Sequence, residues 1–475
     1  MEDLESMRKR LAAAADVVAP VVAAVETTVV VGDAPGAAPS DAANDGVADI
    51  MAAWKDRWSP QGLRYCTAEH YDYLSAAGTK PVPPQLAHAH IVTVFKEYGV
   101  PAVSVVATTV GPQVTTFAVE LEAGAVVSTL KNKEVNVAFG LGAKSVRLLP
   151  YMEGRLGCIG LEVPNAVSAV VAFRDVLAAS LPTVGANKDK YIGVALGLET
   201  SGRPHILRFG HTNSAHLLIA GKSGSGKSVA VDTVLASIVA SYLPSECAIV
   251  IVDPKQLDYT KWAAAPHLLL PPVTATADIQ RILGVMAAPA GGGMTSELDR
   301  RNRMFGEFLV NNLADYNAAV APSSRLPRIV IVIDEYADLM VQGSASKRGT
   351  TSAASEITQH ILRIATVGRA AGIHMVLATQ RPTADTVHPT IRAQTTQIAC
   401  RVNTSIDSEV ILGRGVTGSE KLLGEGDAFV QSNEGLTRVK CAWVKADDIN
   451  ALLRTDVLAR ALAVARGDTD YTPMR

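Results

Sequence analysis

The 475-residue chain has few cysteines, and the five that it has are scattered along the sequence. None is paired with another at the CxxC spacing that zinc sites and redox motifs require. Scattered thiols of this kind are typical of proteins in a reducing compartment. We therefore expect free thiols, neither a disulfide framework nor a zinc site, and a cytoplasmic location.

Long apolar runs are also missing. The most apolar early stretch begins at Leu11, and Asp16, Pro20 and Glu26 interrupt it, whereas a membrane-spanning helix needs about 20 consecutive apolar residues. No small-residue cleavage site follows a short apolar core, so a signal peptide is not expected. The sequence predicts a soluble protein without membrane contact.

The chain carries no large excess of charge of either sign. Its formal net charge of −2 argues against a uniformly basic surface that coats nucleic acid, but a localised basic track stays compatible with it. Hydrophobic residues make up 48% of the chain and charged residues 19%, as in ordinary globular proteins. The length suffices for two or three domains with large cores.

Shifts in composition divide the chain into four parts. Residues 1–85 form an N-terminal helical and linker region of unknown role, with a stretch rich in Gly, Ala and Pro at 32–46. Residues 86–196 combine helical runs with four short strand-like runs, which predicts a compact α+β domain. Residues 197–445 form the largest part, and residues 446–475 are expected to be a short helical tail.

Residues 197–445 have the pattern of an α/β domain. Short aliphatic runs such as CAIVIVD, RIVIVID and IHMVLAT alternate with helical segments. Strands that are apolar on both faces and separated by helices are typical of a mostly parallel sheet covered on both sides. The predicted fold class is therefore α/β, preceded by the smaller α+β domain.

A phosphate-binding loop opens this region, in the segment AHLLIAGKSGSGKSV. The GxxxxGK[ST] pattern comprises Gly221, Lys222, Ser223, Gly224, Ser225, Gly226, Lys227 and Ser228. It follows an apolar strand and opens a helix, so backbone N–H groups and the helix N-terminus can surround phosphates. Lys227 is expected to reach the β- and γ-phosphates and Ser228 to bind Mg²⁺. The motif predicts ATP and Mg²⁺ as ligands.

Two adjacent carboxylates, Asp334 and Glu335, end the apolar run IVIVID. Buried like charges need something to offset them, although a strand that simply emerges into solvent is an equal alternative from this stretch alone. Beside a phosphate loop, the pair fits a catalytic edge. Asp334 is then expected to bind Mg²⁺, and Glu335 to polarise the attacking water.

Two further polar residues follow these motifs, and each has two interpretations. Gln380 directly follows the strand IHMVLAT, where it either senses the γ-phosphate or, like Thr379, only terminates the strand. Arg369 lies near the end of the preceding helix. It is either a solvated surface residue or one that reaches the nucleotide of a neighbouring subunit.

Between about residue 90 and about residue 445 the chain contains, in order, the stretches YGVPAVSVVATTVGPQVTTFAVELEAG, HLLIAGKSGSGKSV, IVDPKQLDY, LDRRNRMF, VIDEYADLM, RAAGIHMVLATQRP and GSEKLLGEGDAF. These stretches resemble the motor portion of the FtsK/SpoIIIE DNA translocases. The resemblance implies an α domain followed by a RecA-like P-loop NTPase core, assembled as a homo-oligomeric, hexameric ring. Double-stranded DNA would pass through its centre, with ATP sites between subunits.

The resemblance also implies roles for individual residues. Arg369 would be an arginine finger acting in trans, and Gln380 the polar sensor. Arg381 and Arg392 would lie on loops that face DNA. Contacts of this kind go to phosphates, so DNA binding is expected to be largely independent of base sequence and sensitive to salt.

The sequence departs from the family pattern around Ile406-Asp407-Ser408, which Ser405 and Glu409 flank in place of basic residues. DNA contact is therefore not expected there. The loop after the acid pair is longer than expected for the family. Its Lys347 and Arg348 either add charge to the pore or, in the interpretation that we favour, belong to a solvated loop. Neither the family's membrane segments nor its C-terminal DNA-reading module is expected in this chain.

The leading functional hypothesis is an ATP-driven translocase of double-stranded DNA, with two rivals. Protein-secretion ATPases of the same superfamily often carry tandem motor domains and membrane segments, and neither is expected here. An ATP-gated DNA-binding scaffold would hydrolyse little ATP, which the intact Lys227, Asp334 and Glu335 argue against.

Overall fold

The structure, a computed structural model, describes Leu74 and residues 78–453 except 212–213, 256–257, 290–294, 342–352 and 384–385. Most of the predicted N-terminal region, Lys347, Arg348 and most of the predicted tail lie outside the described residues.

The described strands are numbered in chain order. They are β1 (Ala102–Val110), β2 (Val114–Leu121), β3 (Arg147–Leu149), β4 (Cys158–Pro164), β5 (Ile192–Glu199), β6 (Pro204–Phe209), β7 (His216–Ala220), β8 (Cys247–Val252), β9 (Arg328–Ile333), β10 (Ile373–Thr379), β11 (Thr395–Cys400), β12 (Asp427–Ser432) and β13 (Gly435–Cys441).

The described α-helices are numbered in the same way. They are α1 (His88–Glu97), α2 (Glu134–Gly140), α3 (Phe173–Ala186), α4 (Lys227–Ser241), α5 (Thr276–Ala287), α6 (Glu297–Glu307), α7 (Leu313–Ala319), α8 (Tyr336–Val341), α9 (Ala353–Ala371), α10 (Pro389–Ala393), α11 (Ser405–Leu412) and α12 (Ala446–Leu452).

The smaller sheet is antiparallel, with the strand order β1-β2-β4-β3. Its apolar face packs against α1 and α2, where Phe95 and Val137 are fully buried beside Leu161. This sheet and its two helices form the compact α+β unit that the sequence predicts. Ile159 and Val163, which alternate with Leu161 along β4, also lie in this core, so one face of the sheet builds it.

The larger sheet has the order β6-β5-β13-β12-β11-β7-β10-β9-β8. The five strands from β11 to β8 are parallel, which confirms the α/β prediction. The strands β12, β13, β5 and β6 extend the sheet in antiparallel fashion. This extension was not predicted, because β13 pairs with a strand far away in the sequence and no local pattern records that pairing.

Helices cover both faces of the larger sheet. Helix α4 packs on one face together with α3 and α12, while α5, α6 and α9 pack on the other. Every residue from Ile329 to Ile333 of β9 is 0% exposed. Burying side chains of this size stabilises the fold by about 1.5–3 kcal/mol each, which explains why these strands are continuous aliphatic runs.

The register brings the carboxyl ends of the central strands to one edge. Thr379 of β10 pairs with Ala220 of β7, and Ile333 of β9 pairs with both Leu377 of β10 and Val252 of β8. The residues that follow these strands therefore lie side by side. Ligand sites of parallel α/β sheets form at this edge.

The chain passes from the smaller to the larger sheet after β4. Helix α3 packs in a core shared with the larger sheet, and β5 pairs with β6 and β13 of that sheet. Residue 196, the predicted end of the α+β domain, lies within β5. The predicted domain limits stay predictions.

Two predictions from the sequence concern membrane-spanning helices and free thiols. None of the described helices is both long enough and apolar enough to cross a membrane. Cys158, Cys247, Cys400 and Cys441 are free thiols, as expected from their spacing.

Candidate active site

The phosphate loop connects the carboxyl end of β7 to α4. Gly224 and Gly226 have positive φ angles of 74° and 102°, a region that favours glycine. A Cβ at Gly226 would lie 2.1 Å from the amide nitrogen of Gly426. That amide donates a 3.0 Å hydrogen bond to the Ser225 carbonyl. The glycines of the motif therefore set the path of the loop and allow a second loop to pack directly against it.

Neighbouring strands hold the beginning of the phosphate loop. The Gly221 N–H donates to the Thr379 carbonyl at 3.1 Å, and the Lys222 N–H donates to the Arg401 carbonyl at 2.9 Å. These acceptors lie at or just beyond the ends of β10 and β11. The loop is thus shaped by the sheet edge itself.

Lys227 and Asp334 form a buried ion pair at this edge. Their side chains are only 3% and 5% exposed, and the Lys227 ammonium donates to an Asp334 carboxylate oxygen. The Asp334 N–H is held by the Val252 carbonyl at 2.9 Å. Burial raises the pKa of Asp334, and the Lys227 charge opposes this rise without cancelling it. The structure therefore brings together the phosphate-loop lysine and the first of the two predicted acids.

Glu335 has an unusual backbone and a crowded carboxylate. Its φ angle is +49°, a conformation that is rare for residues other than glycine and costs about 1–3 kcal/mol. The carboxylate accepts hydrogen bonds from Thr379 Oγ1 at 2.8 Å, the Gln380 N–H at 3.0 Å and Lys255 Nζ at 3.0 Å. The strained turn directs the second acid toward the end of β10.

The two adjacent acids have opposite pKa shifts. Burial by itself raises the pKa of Glu335, but the hydrogen bonds from Gln380, Lys255 and Thr379 outweigh it and hold that pKa below its usual value. Asp334, with one ammonium partner, has a raised pKa. Glu335 is therefore the acid that is held firmly as a carboxylate in this structure.

Sequence reasoning gave no role to Lys255 and treated Thr379 only as a strand end. Lys255 lies three residues beyond β8, in the stretch IVDPKQLDY. A signal was present, because β8 is a second aliphatic strand followed by an acid, as β9 is. Strands of this kind end at the same sheet edge, so the residues after β8 were candidates for the site.

Ser228 and Asp334 are suitable ligands for Mg²⁺. Both offer hard oxygen atoms, which Mg²⁺ prefers, and this ion usually takes one or two protein ligands besides phosphate and water. The Ser228 hydroxyl donates to an Asp258 carboxylate oxygen at 3.2 Å, so a third oxygen-bearing side chain lies beside the loop. The donor set fits the predicted ion.

A cavity of about 600 Å³ adjoins the phosphate loop, a volume typical of small-molecule sites. Its lining includes the loop, Asp258 and Gln380. It also includes residues 168–171, which follow the smaller sheet, and Trp443, which is 46% exposed. Charged groups and apolar surface therefore line one cavity.

Of the four other predicted site residues, only one lines this cavity. Gln380 lines the cavity, and Arg381 follows it on an exposed turn. Arg392 is half-buried in α10 and donates to the Val410 carbonyl at 3.3 Å. Arg369 lies in the last turn of α9, near the amino end of β10 and so at the edge opposite the phosphate loop.

Fold and site geometry together define the class: the chain has the architecture of a P-loop ATPase. Two family models match it, the FtsK alpha domain over residues 79–165 and the FtsK/SpoIIIE family over residues 179–384. The chain belongs to the FtsK/SpoIIIE family, which confirms the resemblance seen in its motifs.

Curated relatives extend this similarity. The DNA translocase FtsK of Lactococcus lactis subsp. cremoris is 35% identical over 371 residues, which cover 76% of this chain and 45% of that protein. The DNA translocase FtsK of Pseudomonas aeruginosa is 35% identical over 404 residues, 79% of this chain and 46% of that protein. The chain thus spans about half the length of these relatives.

A solved structure matches a similar share of this chain. The pCW3 conjugation coupling protein TcpA, in a monomer form with ATPγS, aligns with 77% of this chain and 98% of its own, with a TM-score of 0.50 and 18% identity. At that identity the likeness concerns the fold alone.

Proposed function

We propose that this chain is the motor of a translocase that hydrolyses ATP to move double-stranded DNA. The observation that carries the proposal is the buried Lys227–Asp334 pair, with Glu335 beside it, at the edge of the sheet that holds the phosphate loop. The relatives named DNA translocase FtsK support DNA as the substrate.

The phosphate end of the cavity would bind the nucleotide through Lys227 and the loop N–H groups, with Ser228 and Asp334 holding Mg²⁺. The ion, when bound, neutralises charge that develops on the phosphate oxygens. Lys227 would then exchange its present partner Asp334 for the β- and γ-phosphates. The apolar end near Trp443 would contact the nucleobase, since flat aromatic surfaces stabilise bases by stacking.

Glu335 would act as the general base. It would accept a proton from the water that attacks the γ-phosphorus, or orient that water. Gln380 would sense the γ-phosphate, because it lies next to Glu335 in space and lines the same cavity. The strained backbone of Glu335 supports this assignment, since such strain tends to occur at functional residues.

Arg369 would complete the site of a neighbouring subunit. It precedes β10, whose seven residues at about 3.3 Å each span about 20 Å, and the phosphate loop lies at the other end of that strand. Arg369 therefore cannot reach the nucleotide of its own chain, so a role in hydrolysis requires a second copy. A closed homo-oligomeric ring, hexameric as the family resemblance implies, would supply one at every interface.

Arg381 and Arg392 would contact DNA phosphates in the centre of such a ring. Phosphate contacts hold DNA without reading its sequence, so binding should weaken as salt concentration rises. The cytoplasmic location also stays a prediction.

The direct experiment measures ATP hydrolysis by the full chain with and without linear double-stranded DNA, using Lys227→Ala as the inactive control. Strong stimulation by DNA would support the motor. A rate indifferent to DNA would favour a secretion-type ATPase, and turnover no faster than Lys227→Ala would favour a scaffold.

A further inference from the structure

Three protein donors make four hydrogen-bond contacts with the Glu335 carboxylate. Its Oε1 accepts from Thr379 Oγ1 at 2.8 Å and from the Gln380 N–H at 3.0 Å, while Oε2 accepts from Lys255 Nζ at 3.0 Å and from the same N–H at 3.2 Å. A carboxylate offers about four lone-pair positions. A general base must accept a hydrogen bond from the water it activates, so one of these contacts has to break first.

The two contacts from β10 belong to the rigid edge of the sheet. Thr379 is 0% exposed, and its carbonyl accepts the Gly221 N–H of the phosphate loop. Moving Thr379 or the Gln380 backbone would therefore disturb the loop that has to bind ATP. These contacts are poor candidates for the one that breaks.

The contact from Lys255 is the easiest to release. Its side chain is 34% exposed, its flexible stem extends from a turn after β8, and a second acid, Asp338, lies 3.7 Å from its ammonium. Lys255 can therefore leave Glu335 without losing an acidic partner. Glu335, by contrast, would gain a free acceptor position.

We propose that Lys255 restrains Glu335 in the resting motor and that hydrolysis begins when Lys255 moves from Glu335 to Asp338. Lys255 is in this sense a positioning residue, which keeps the ATPase slow in the absence of DNA. The inference rests on the proposed role of Glu335 as general base.

A hydrogen-bond path connects this restraint to the turn that would face DNA. The Arg381 N–H donates to Thr379 Oγ1 at 3.0 Å, and the same hydroxyl donates to Glu335. A DNA phosphate bound by Arg381 would thus act one hydrogen bond away from the carboxylate. In this proposal, the change at that contact tilts the Glu335 carboxylate away from Lys255, and Asp338, 3.7 Å from the ammonium, receives it.

The test compares ATP hydrolysis by Lys255→Met and by the wild-type chain, with and without linear double-stranded DNA. Without the ammonium, Glu335 has a free acceptor position in every molecule. We expect the DNA-free rate to rise on the order of tenfold, which corresponds to about 1.4 kcal/mol, the scale of one hydrogen bond to a charged group. The DNA-stimulated rate should change little, so the stimulation ratio falls. Lys255→Arg, which keeps a cation, should restore a high ratio.

Lys261→Met is the matched control. Lys261 is 37% exposed and forms a 2.6 Å ion pair with Asp232, so it resembles Lys255 in exposure and in having a carboxylate partner. Its substitution should leave the stimulation ratio unchanged. A lower ratio in Lys261→Met as well would attribute the effect to loss of charge rather than to Glu335, and would overturn the proposal.

Two other outcomes reject the restraint. A parallel fall of both rates in Lys255→Met would make Lys255 a residue that catalysis needs, and an unchanged DNA-free rate would leave it without influence on Glu335. If thermal unfolding shows that Lys255→Met does not fold, Lys255→Gln replaces it in the same comparison. If Glu335→Gln hydrolyses ATP normally, the proposed function itself fails; if it is inactive while Lys255→Met keeps the wild-type ratio, only the restraint fails.

Discussion

The proposed catalytic edge of the larger sheet and the seam between the two sheets both bury ion pairs, but their acids are paired with different cations. We call Lys227, Lys255, Asp334 and Glu335 the catalytic cluster because Glu335 is the proposed general base. The seam cluster consists of Gln113, Glu162, Asp427 and Arg438. Lysines pair with the acids of the first cluster. Arg438 pairs with both acids of the second, and Arg147 lies 3.6 Å from Glu162.

The charged groups of the seam cluster are all paired with one another. Arg438 of β13 donates to Asp427 at 2.7 and 3.1 Å and to Glu162 of the smaller sheet at 2.9 Å. Gln113 and the Leu423 N–H also donate to Asp427. Asp427 is 0% exposed and Glu162 is 2% exposed. Every charge here has a partner fixed by the fold, and the partners come from both sheets.

The difference between the clusters follows from their side chains. A planar guanidinium holds two carboxylates in one geometry, while an ammonium is a point charge on a flexible stem that can change partners. Buried ion pairs cost desolvation energy whichever cation is used. In the seam cluster, the paired charges fix the smaller sheet on the larger one. In the catalytic cluster, a charged group can exchange its partner for a phosphate, a metal ion or a water.

The largest expected effect concerns the arginine that the catalytic cluster would obtain from a neighbouring copy. Arg369→Ala should retain ATP binding, because Lys227 is intact, but should lower DNA-stimulated hydrolysis by about 10³–10⁵-fold, the usual contribution of an arginine acting in trans. Nucleotide binding and turnover are measured on the same preparation. Arg281→Ala, which removes an arginine paired with Asp278 on its own helix, is the control. Normal turnover in Arg369→Ala would make Arg369 a surface residue.

The second effect is on stability and tests the seam cluster. Arg438→Met leaves Asp427 buried without its cation and Glu162 with only Arg147 at 3.6 Å, so the free energy of unfolding should fall by about 3–5 kcal/mol. Urea denaturation measures it. Arg208→Met breaks an exposed pair with Glu434 and should change stability by no more than about 0.5 kcal/mol. Equal effects of the two substitutions would contradict the structural role of the seam.

A smaller effect concerns the pH dependence of stability. It comes from buried neutral histidines, which belong to neither cluster. Burial lowers the pKa of His216 and His267 to about 4, and that of His374 well below its usual value. Because the unfolded chain binds these protons from about pH 6.5 downward and the folded chain does not, stability should fall as pH drops from about 6.5 toward about 4.

Each such histidine contributes about 1.4 kcal/mol per pH unit within that window. His267→Gln should therefore lose less stability than the wild-type chain between pH 6.5 and pH 5, as measured by urea denaturation at each pH. An identical slope for the variant would mean that His267 does not remain neutral in the folded protein.

The phosphate loop and the acid pair could be predicted because their residues are consecutive and follow aliphatic runs. The parallel strands that carry them end at one edge by geometry alone. The contacts of Lys255 could not be predicted in the same way, because it lies 80 residues from Glu335 and only the strand order brings them together.

The sequence around the residues of the seam cluster indicates their contacts even less. Gln113 and Asp427 are 314 residues apart, and neither residue type indicates a partner. The antiparallel extension of the larger sheet could not be predicted for the same reason, since β5 and β13 pair although they lie far apart in the sequence. Local periodicity predicts which segments are strands, but long-range pairing depends on the packing of the whole chain.

The central claim is that Glu335 activates the water that attacks ATP, and single-turnover hydrolysis by Glu335→Gln with saturating linear double-stranded DNA tests it most directly. An amide cannot take the proton, so bound ATP should persist and the hydrolysis rate should fall by about 10²–10⁴-fold. Glu434→Gln, the same change at an acid that is 86% exposed, should hydrolyse ATP at the wild-type rate. Hydrolysis by Glu335→Gln at the wild-type rate would contradict the assignment of the catalytic edge.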